Sequence, residues 1–95
     1  MFAVTVTFVL KPDSAEAFLP LMVENARASK ELEDGCHQFD VCPSDDDRLV
    51  CLYEVYAAAA AFKPPLASAH FRAFDTATRD MIETKSVQPF ARILS

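Results

Sequence analysis

Two polar side chains that interrupt apolar helical stripes are the first candidates for chemistry in this sequence. One stripe consists of Phe18, Met22, Asn25 and Ser29, and the other of His70, Phe74, Ala77 and Met81. A buried amide without a partner costs about 1 to 3 kcal/mol, and an imidazole accepts protons near neutral pH. Asn25 and His70 therefore predict a ligand site with proton transfer, unless both bond only to neighbouring protein groups.

The segment around residues 53–56 adds a carboxyl and two phenols. Tyr53 points to the opposite side of a strand from Glu54 and Tyr56, because neighbouring side chains alternate. The sequence leaves open which set faces the helices. A phenol or carboxyl on that face would join Asn25 and His70 around a small cavity.

Phenylalanines would give this cavity the apolar lining that is usual for a small-molecule pocket. We assign His70, Asn25 and Tyr53 to catalysis, with His70 as general base and the other two holding substrate oxygens. The side chains assigned to substrate binding are Glu54, Tyr56, Phe39, Phe62, Phe71, Phe74 and Ser29. For each aromatic residue the alternative is ordinary core filling.

The elements that must position these residues follow from hydrophobic periodicity and from helix and turn signals. Strands are predicted at 2–10, 36–42, 48–56 and 86–94, and helices from Asp13 or Ser14 to about Leu32 and from about Ser68 to about Glu83. Gly35, the one glycine, is expected to be left-handed after the first helix. Lys63-Pro64-Pro65 predicts a break, and Pro89 places the last strand at a sheet edge.

This order of elements predicts an α+β fold, the ferredoxin-like βαββαβ unit with a four-stranded antiparallel sheet, as one domain over 1–95. Both helices cover one face of such a sheet. The third strand is apolar on both faces, so a second copy is the expected cover for the other face. We therefore expect a homodimer that joins through the sheet.

Composition limits the partners and the location. The net charge of −5 and the pI near 4.8 exclude nucleic acid as an expected partner. No apolar run approaches the roughly 20 residues that span a bilayer, and no basic segment precedes a signal core. We expect a cytoplasmic protein without a membrane partner.

Cofactor and metal motifs are not found in the sequence. Cys36, Cys42 and Cys51 have no CxxC spacing, and we read them as reduced structural thiols. A single glycine excludes a glycine-rich dinucleotide loop. We predict no metal and no cofactor.

Five short segments resemble the antibiotic biosynthesis monooxygenase (ABM) family, most closely its quinol monooxygenase (YgiN-like) and LsrG-like branches. The segments are NARAS at 25–29, EDGCHQFDV at 33–41, LYEVY at 52–56, AF at 61–62 and SAHF at 68–71. The resemblance implies a dimeric α+β barrel of ferredoxin-like subunits. It also implies a pocket between helices and sheet in each subunit.

Two departures from the family pattern concern the expected histidine pair. Such sequences commonly read A-F-x-x-H-x-x-S-P-H-F, whereas Pro65 replaces the first histidine here and Ala69 replaces the proline before His70. The haem-degrading branch expects a first-strand asparagine and a tryptophan. This chain has Thr5 and Thr7 there and no tryptophan, so haem breakdown is excluded.

The resemblance implies a monooxygenase that uses O₂ without metal or flavin on a quinol or another phenolic or enolic small molecule. Two alternatives stay open. One is an LsrG-like isomerase of a small dicarbonyl or phosphodicarbonyl, and the other is a non-catalytic dimer that binds a small ligand. Fold-level analogy alone does not choose among them.

Overall fold

A computed structural model describes residues 1–62 and 69–94 of the chain. Its four strands are β1 (Phe2–Leu10), β2 (Cys36–Pro43), β3 (Leu49–Tyr56) and β4 (Ile82–Phe90). Its two helices are α1 (Ala15–Leu32) and α2 (Ala69–Thr78), with short 3₁₀ turns at Ala59–Ala61 and Arg79–Met81. The predicted break at 63–65 and the predicted helix start at Ser68 lie outside the described residues.

The four strands form one antiparallel sheet in the order β2-β3-β1-β4. Together with the two helices, this arrangement confirms the ferredoxin-like α+β prediction. Among the described strands β4 pairs with β1 alone and is an edge strand, so Pro89, opposite Val4, lies where a missing N–H is tolerated.

Alternation along β1 separates a core face from an open face. Val4, Val6, Phe8 and Leu10 are all buried on the side that carries the helices. Phe18 and Met22 of α1 pack against this side and are essentially inaccessible to solvent. The apolar stripe of the first helix is therefore placed as the sequence predicts.

The boundary between α2 and β4 differs from the sequence prediction. α2 ends at Thr78 instead of near Glu83, and β4 covers Ile82–Phe90 instead of 86–94. Pairing with β1 extends from Ile82 opposite Leu10 to Phe90 opposite Ala3. These inter-strand hydrogen bonds outweigh the weak helical preference of residues 79–83, since local propensity yields to tertiary pairing.

Gly35 is left-handed, with φ of 86°, as predicted. Gly35 does not cap α1, because Glu33 is the C-cap residue. It lies in the next turn, where the Cys36 N–H donates a hydrogen bond of 3.2 Å to the Glu33 carbonyl. A Cβ at residue 35 would lie 2.8 Å from the Cβ of Ala61. Gly35 therefore allows both the backbone angle and a close approach to the segment after β3.

Neither described helix has the length and apolarity to cross a bilayer. The cytoplasmic location and the single-domain organisation over 1–95 stay predictions.

Substituting Gly35→Ala should lower the free energy of unfolding by about 1 to 3 kcal/mol. A left-handed backbone is unfavourable for an L-residue, and the new methyl group would clash with the Cβ of Ala61. Urea denaturation measures the loss. The double variant Gly35→Ala/Ala61→Gly, compared with Ala61→Gly alone, should recover the steric part and keep the backbone part. An unchanged midpoint for Gly35→Ala would contradict this account.

Candidate functional site

A cavity of about 280 Å³ lies between the helix-facing side of the sheet and the two helices. Most of its wall is apolar. The lining side chains are Val6, Phe8, Met22, Asn25, Leu52, Glu54, Phe62, Phe71, Phe74, Asp75, Thr78, Ile82, Lys85 and Val87. A cavity of about 150 Å³ holds a benzene ring, so this one has room for a substituted aromatic molecule.

Asn25 gives the cavity a polar group that no described protein atom satisfies. It is 4% exposed on α1, on the same buried stripe as Phe18 and Met22. Neither its Nδ2 nor its Oδ1 has a hydrogen-bond partner among the described residues. Because a buried amide of this kind is costly, its position on a cavity wall favours a ligand as the missing partner.

Glu54 is the second buried polar group of the cavity. It is 3% exposed and lies opposite Val4, so its carboxyl faces the helices. The Tyr56 hydroxyl donates a hydrogen bond to Glu54 Oε1 at 2.5 Å. The open question of strand orientation is thus resolved, with Glu54 and Tyr56 on the cavity side of β3.

Burial controls the protonation of this pair. Burial raises the pKa of the Glu54 carboxyl, and the hydrogen bond from Tyr56 and the charge of Lys85 oppose the rise only in part. Burial, with the Glu54 charge next, raises the pKa of the Tyr56 phenol far above its ordinary value. Tyr56 therefore remains a donor, and Glu54 is a carboxylate with increased affinity for a proton.

Tyr53 does not belong to this cavity, which corrects the prediction that it holds substrate there. It pairs with Thr5 and points to the open face, since side chains alternate along β3 and Glu54 points to the helices. Its selection reflected a choice between two faces that the sequence did not resolve.

His70 lies beside the cavity and does not line it. Its Nε2 is 3.2 Å from Ser29 Oγ and 3.6 Å from Glu33 Oε1. It borders a groove between α1 and α2 that shares Asn25 and Phe74 with the cavity. The two predicted polar interruptions are therefore neighbours, but of the two only Asn25 lines the cavity.

The orientation of α2 explains the position of His70. Phe71, Phe74 and Thr78 line the cavity, and Thr78 is fully buried. His70 and Ala77 face the groove instead. The predicted stripe was thus rotated by about one residue, because α2 packs against both α1 and the sheet and has two inward directions.

Phe62, Phe71 and Phe74 line the cavity, and their contact with a substrate stays a prediction. Phe39 fills the core without reaching the cavity, and Ser29 is fully buried with its hydroxyl against His70. Neither side chain lines this cavity, so the geometry gives no support to their predicted contact with substrate. Tyr56 is not among the lining side chains and acts on the cavity through Glu54.

Charged residues near the cavity mouth were missed from the sequence. Lys85 lies opposite Phe8 on β4, with its Nζ 5.7 Å from the centre of the Phe8 ring. Asp75 also lines the wall and accepts a hydrogen bond from Arg79 at 3.0 Å. Lys85 was missed because the last strand was predicted to begin at Ser86. Residue 85 was therefore not assigned to either side of the sheet.

Metal and thiol chemistry find no support in residues 1–62 and 69–94. No group of three or more His, Cys, Asp or Glu side chains in these ranges could hold a metal ion. Burial, followed by the charge of Glu54, raises the pKa of the Cys36 thiol, which disfavours the nucleophilic thiolate.

Comparison with known proteins points to one family. The sequence matches the family described as antibiotic biosynthesis monooxygenase over residues 1–77. A Nitrosomonas europaea protein described as a candidate antibiotic biosynthesis monooxygenase is 25% identical, with a TM-score of 0.86 and coverage of 99% of this chain and 100% of that chain. No curated protein sequence matches this chain significantly.

Two further solved structures share the fold. Rv0793 from Mycobacterium tuberculosis is 23% identical, with a TM-score of 0.85 and coverage of 99% of this chain and 96% of that chain. A Caulobacter crescentus protein, also described as a candidate antibiotic biosynthesis monooxygenase, is 20% identical, with a TM-score of 0.88 and coverage of 98% and 90%. At these identities the likeness concerns the fold alone.

The variant Glu54→Gln should change how stability depends on pH. As pH rises from the ordinary carboxyl pKa of 4.5 through the raised folded pKa, the unfolded chain releases a proton that the folded chain keeps. Glu54 therefore reduces the free energy of unfolding over that window. The difference between Glu54→Gln and wild type should grow with pH and then level off, as measured by urea denaturation.

The exposed carboxylate of Glu16 supplies the control for this experiment. Glu16→Gln removes one negative charge from the exposed surface of α1 and measures the effect of a changed net charge as such. A constant difference between Glu54→Gln and wild type at every pH would show that the folded state does not raise the proton affinity of Glu54.

Proposed function

Since the chain belongs to the antibiotic biosynthesis monooxygenase family, we propose that it oxygenates a small phenolic or enolic molecule, such as a quinol, with O₂. The observation that carries this proposal is the Asn25 amide, buried and without a described protein partner, on the wall of the cavity that also contains Glu54. The substrate would supply the electrons, so the proposed reaction requires no metal or organic cofactor.

Glu54 is the proposed proton acceptor. The substrate ring would occupy the apolar part of the cavity, with its hydroxyl or acidic C–H directed at the Glu54 carboxylate. Burial increases the proton affinity of this carboxylate, and a positioned base typically contributes about 10² to 10⁴ in rate. Tyr56 fixes the carboxyl through its hydrogen bond and leaves the other oxygen for the substrate.

Asn25 would stabilise the anion that this proton transfer creates. Its Nδ2 can donate to the developing oxyanion, and a preorganised donor of this kind is worth about 10² to 10³ in rate. The electron-rich anion then reacts with O₂. With an anthrone, the methylene group becomes a carbonyl that contains one oxygen atom, and its two hydrogens leave with the other oxygen as water.

His70 is a less direct candidate for the base than the sequence suggested. Its Nε2 is directed toward Ser29 and Glu33, in the neighbouring groove. We propose that it is a positioning residue that holds α2 against α1 where Asn25 and Phe74 border both spaces. Pro65, which stands in place of the usual first histidine, lies outside the described part of the chain.

A second candidate function uses the same proton transfer without oxygen. An isomerase of a small anionic dicarbonyl, of the LsrG-like kind, would also need a buried base and an oxyanion donor. Lys85 on the cavity wall favours this alternative, because it supplies a cation that such a substrate would require. A non-catalytic ligand-binding dimer is the third possibility.

Activity should be measured as O₂ consumption with hydroquinone and with an anthrone, together with product formation. Wild type should consume O₂; Glu54→Gln should lower kcat by about 10² to 10⁴ and Asn25→Leu by about 10² to 10³. His70→Ala should lose less than about tenfold, as expected of a group outside the proton-transfer step. Asn25→Leu should unfold no more easily than wild type, because it removes an unsatisfied amide.

Other results would reassign the function or the base. Product formation under strict anaerobiosis would establish isomerisation instead of oxygenation. Binding of these compounds without turnover would leave the non-catalytic function. If His70→Ala lost most of its kcat while Glu54→Gln stayed active, His70 and not Glu54 would be the base.

We also propose that the chain forms a homodimer through the open face of the sheet. The large apolar side chains of Leu49, opposite Val9, and Phe90, opposite Ala3, are 45% and 46% exposed on this face. Each Å² of apolar area that a second copy covers favours association by about 25 cal/mol, before the cost of association. A two-fold pairing of identical faces is the simplest cover.

The substitution Thr7→Arg should convert the dimer to a monomer, because Thr7 is an exposed residue of β1 on the open face and an arginine there would be buried between the two copies. Sedimentation velocity measures the change. Val23→Arg, on the exposed side of α1, is the control and should remain dimeric. A wild-type monomer at all concentrations would contradict the proposal.

A further inference from the structure

We propose that Lys85 selects substrates that carry an anionic oxygen group, such as a carboxylate, on the aromatic ring. This inference rests on the proposed function, because it names the class of ring that the cavity would accept. It assigns a specificity role to a residue of the edge strand β4, which the sequence alone did not bring to the site.

The pairing of β4 with β1 fixes the direction of Lys85. Lys85 lies opposite Phe8, whose side chain is buried on the helix-facing side of the sheet. Side chains of directly opposed residues point to the same face. The Lys85 ammonium is 5.7 Å from the centre of the Phe8 ring, so its stem follows the cavity wall.

Lys85 is the cation that the described lining leaves available for a ligand. It forms no ion pair within 4.0 Å in the described ranges 1–62 and 69–94, whereas the nearby Asp75 is bonded to Arg79. The charge of Lys85 is nevertheless felt at Glu54, where it opposes the effect of burial. An anionic group of a ligand at Lys85 would therefore form the ion pair that Lys85 lacks in the described ranges.

The separation of the two charges also orients the ligand. Glu54 is buried, whereas Lys85 and its neighbour Val87 are exposed and mark the mouth of the cavity. A carboxylate would be repelled from Glu54 and attracted to Lys85. The same ligand would thus direct its phenol inward, to Asn25 and Glu54, and its carboxylate outward.

A matched pair of probes tests this inference. Hydroquinone and 2,5-dihydroxybenzoate share the ring and both hydroxyls and differ by one carboxylate. Calorimetric titration at low ionic strength should show that wild type prefers the carboxylate by about fivefold, consistent with a partly exposed ion pair. The preference should weaken in 1 M NaCl, because salt screens exposed charges.

Three variants isolate the role of Lys85. Lys85→Met keeps the length and apolar stem and should lose the roughly fivefold preference for the carboxylate over hydroquinone. Lys85→Arg should keep the preference. Lys11→Met, which removes an exposed lysine that does not line the cavity, should behave as wild type.

The outcomes separate this inference from the proposed function. Equal affinity for the two probes in wild type, or an equal preference in wild type and Lys85→Met, would overturn the role of Lys85 and leave the proposed ring-binding site intact. Failure of both probes to bind wild type would overturn the proposed function and this inference with it.

Discussion

An amide that has no hydrogen-bond partner in the described part of the chain and a buried carboxyl share one apolar cavity, and this arrangement constrains the rest of the structure. Asn25 and Glu54 are 4% and 3% exposed, so neither is solvated as it would be at the surface. Leaving such groups in an apolar wall works against stability, because burial penalises unsatisfied and charged groups. The surrounding sheet and helices must therefore supply the stability that the site does not.

β1 is the central element of that supporting structure. It pairs with both β3 and β4, and its buried side chains form the floor of the core. Its register places Glu54 opposite Val4 and Lys85 opposite Phe8. One strand thus fixes a carboxyl on one neighbour and an ammonium on the other, both on the helix-facing side.

The elements with a single buried direction could be predicted from the sequence. β1 alternates over residues 4–10 and α1 has one apolar stripe, so their bounds and buried faces, including the position of Asn25, follow from periodicity. These regular patterns and the order of the elements were sufficient to predict the four-stranded fold that the structure has.

The parts that could not be predicted have two competing partners. β3 is apolar on both faces, so the side of Glu54 was decided only by its register with β1. α2 packs against α1 and the sheet at once, which turned His70 toward Ser29 and left Thr78 in the cavity wall. The position of Lys85 on the cavity wall follows from the pairing of β4 with β1, which begins at Ile82, before the start that the sequence predicts for this strand.

Membership of the family establishes the fold more firmly than the chemistry. One fold supports different reactions, and three proteins that share this fold are only 20% to 25% identical to the chain, so its function depends on the side chains of this site. Those side chains form a gradient: Lys85 at the mouth, aromatic rings along the wall, and Asn25 with Glu54 in the interior. Such a gradient favours an aromatic ligand that loses a proton at its buried end, since the only charge that the interior must then accommodate moves between the ligand and Glu54.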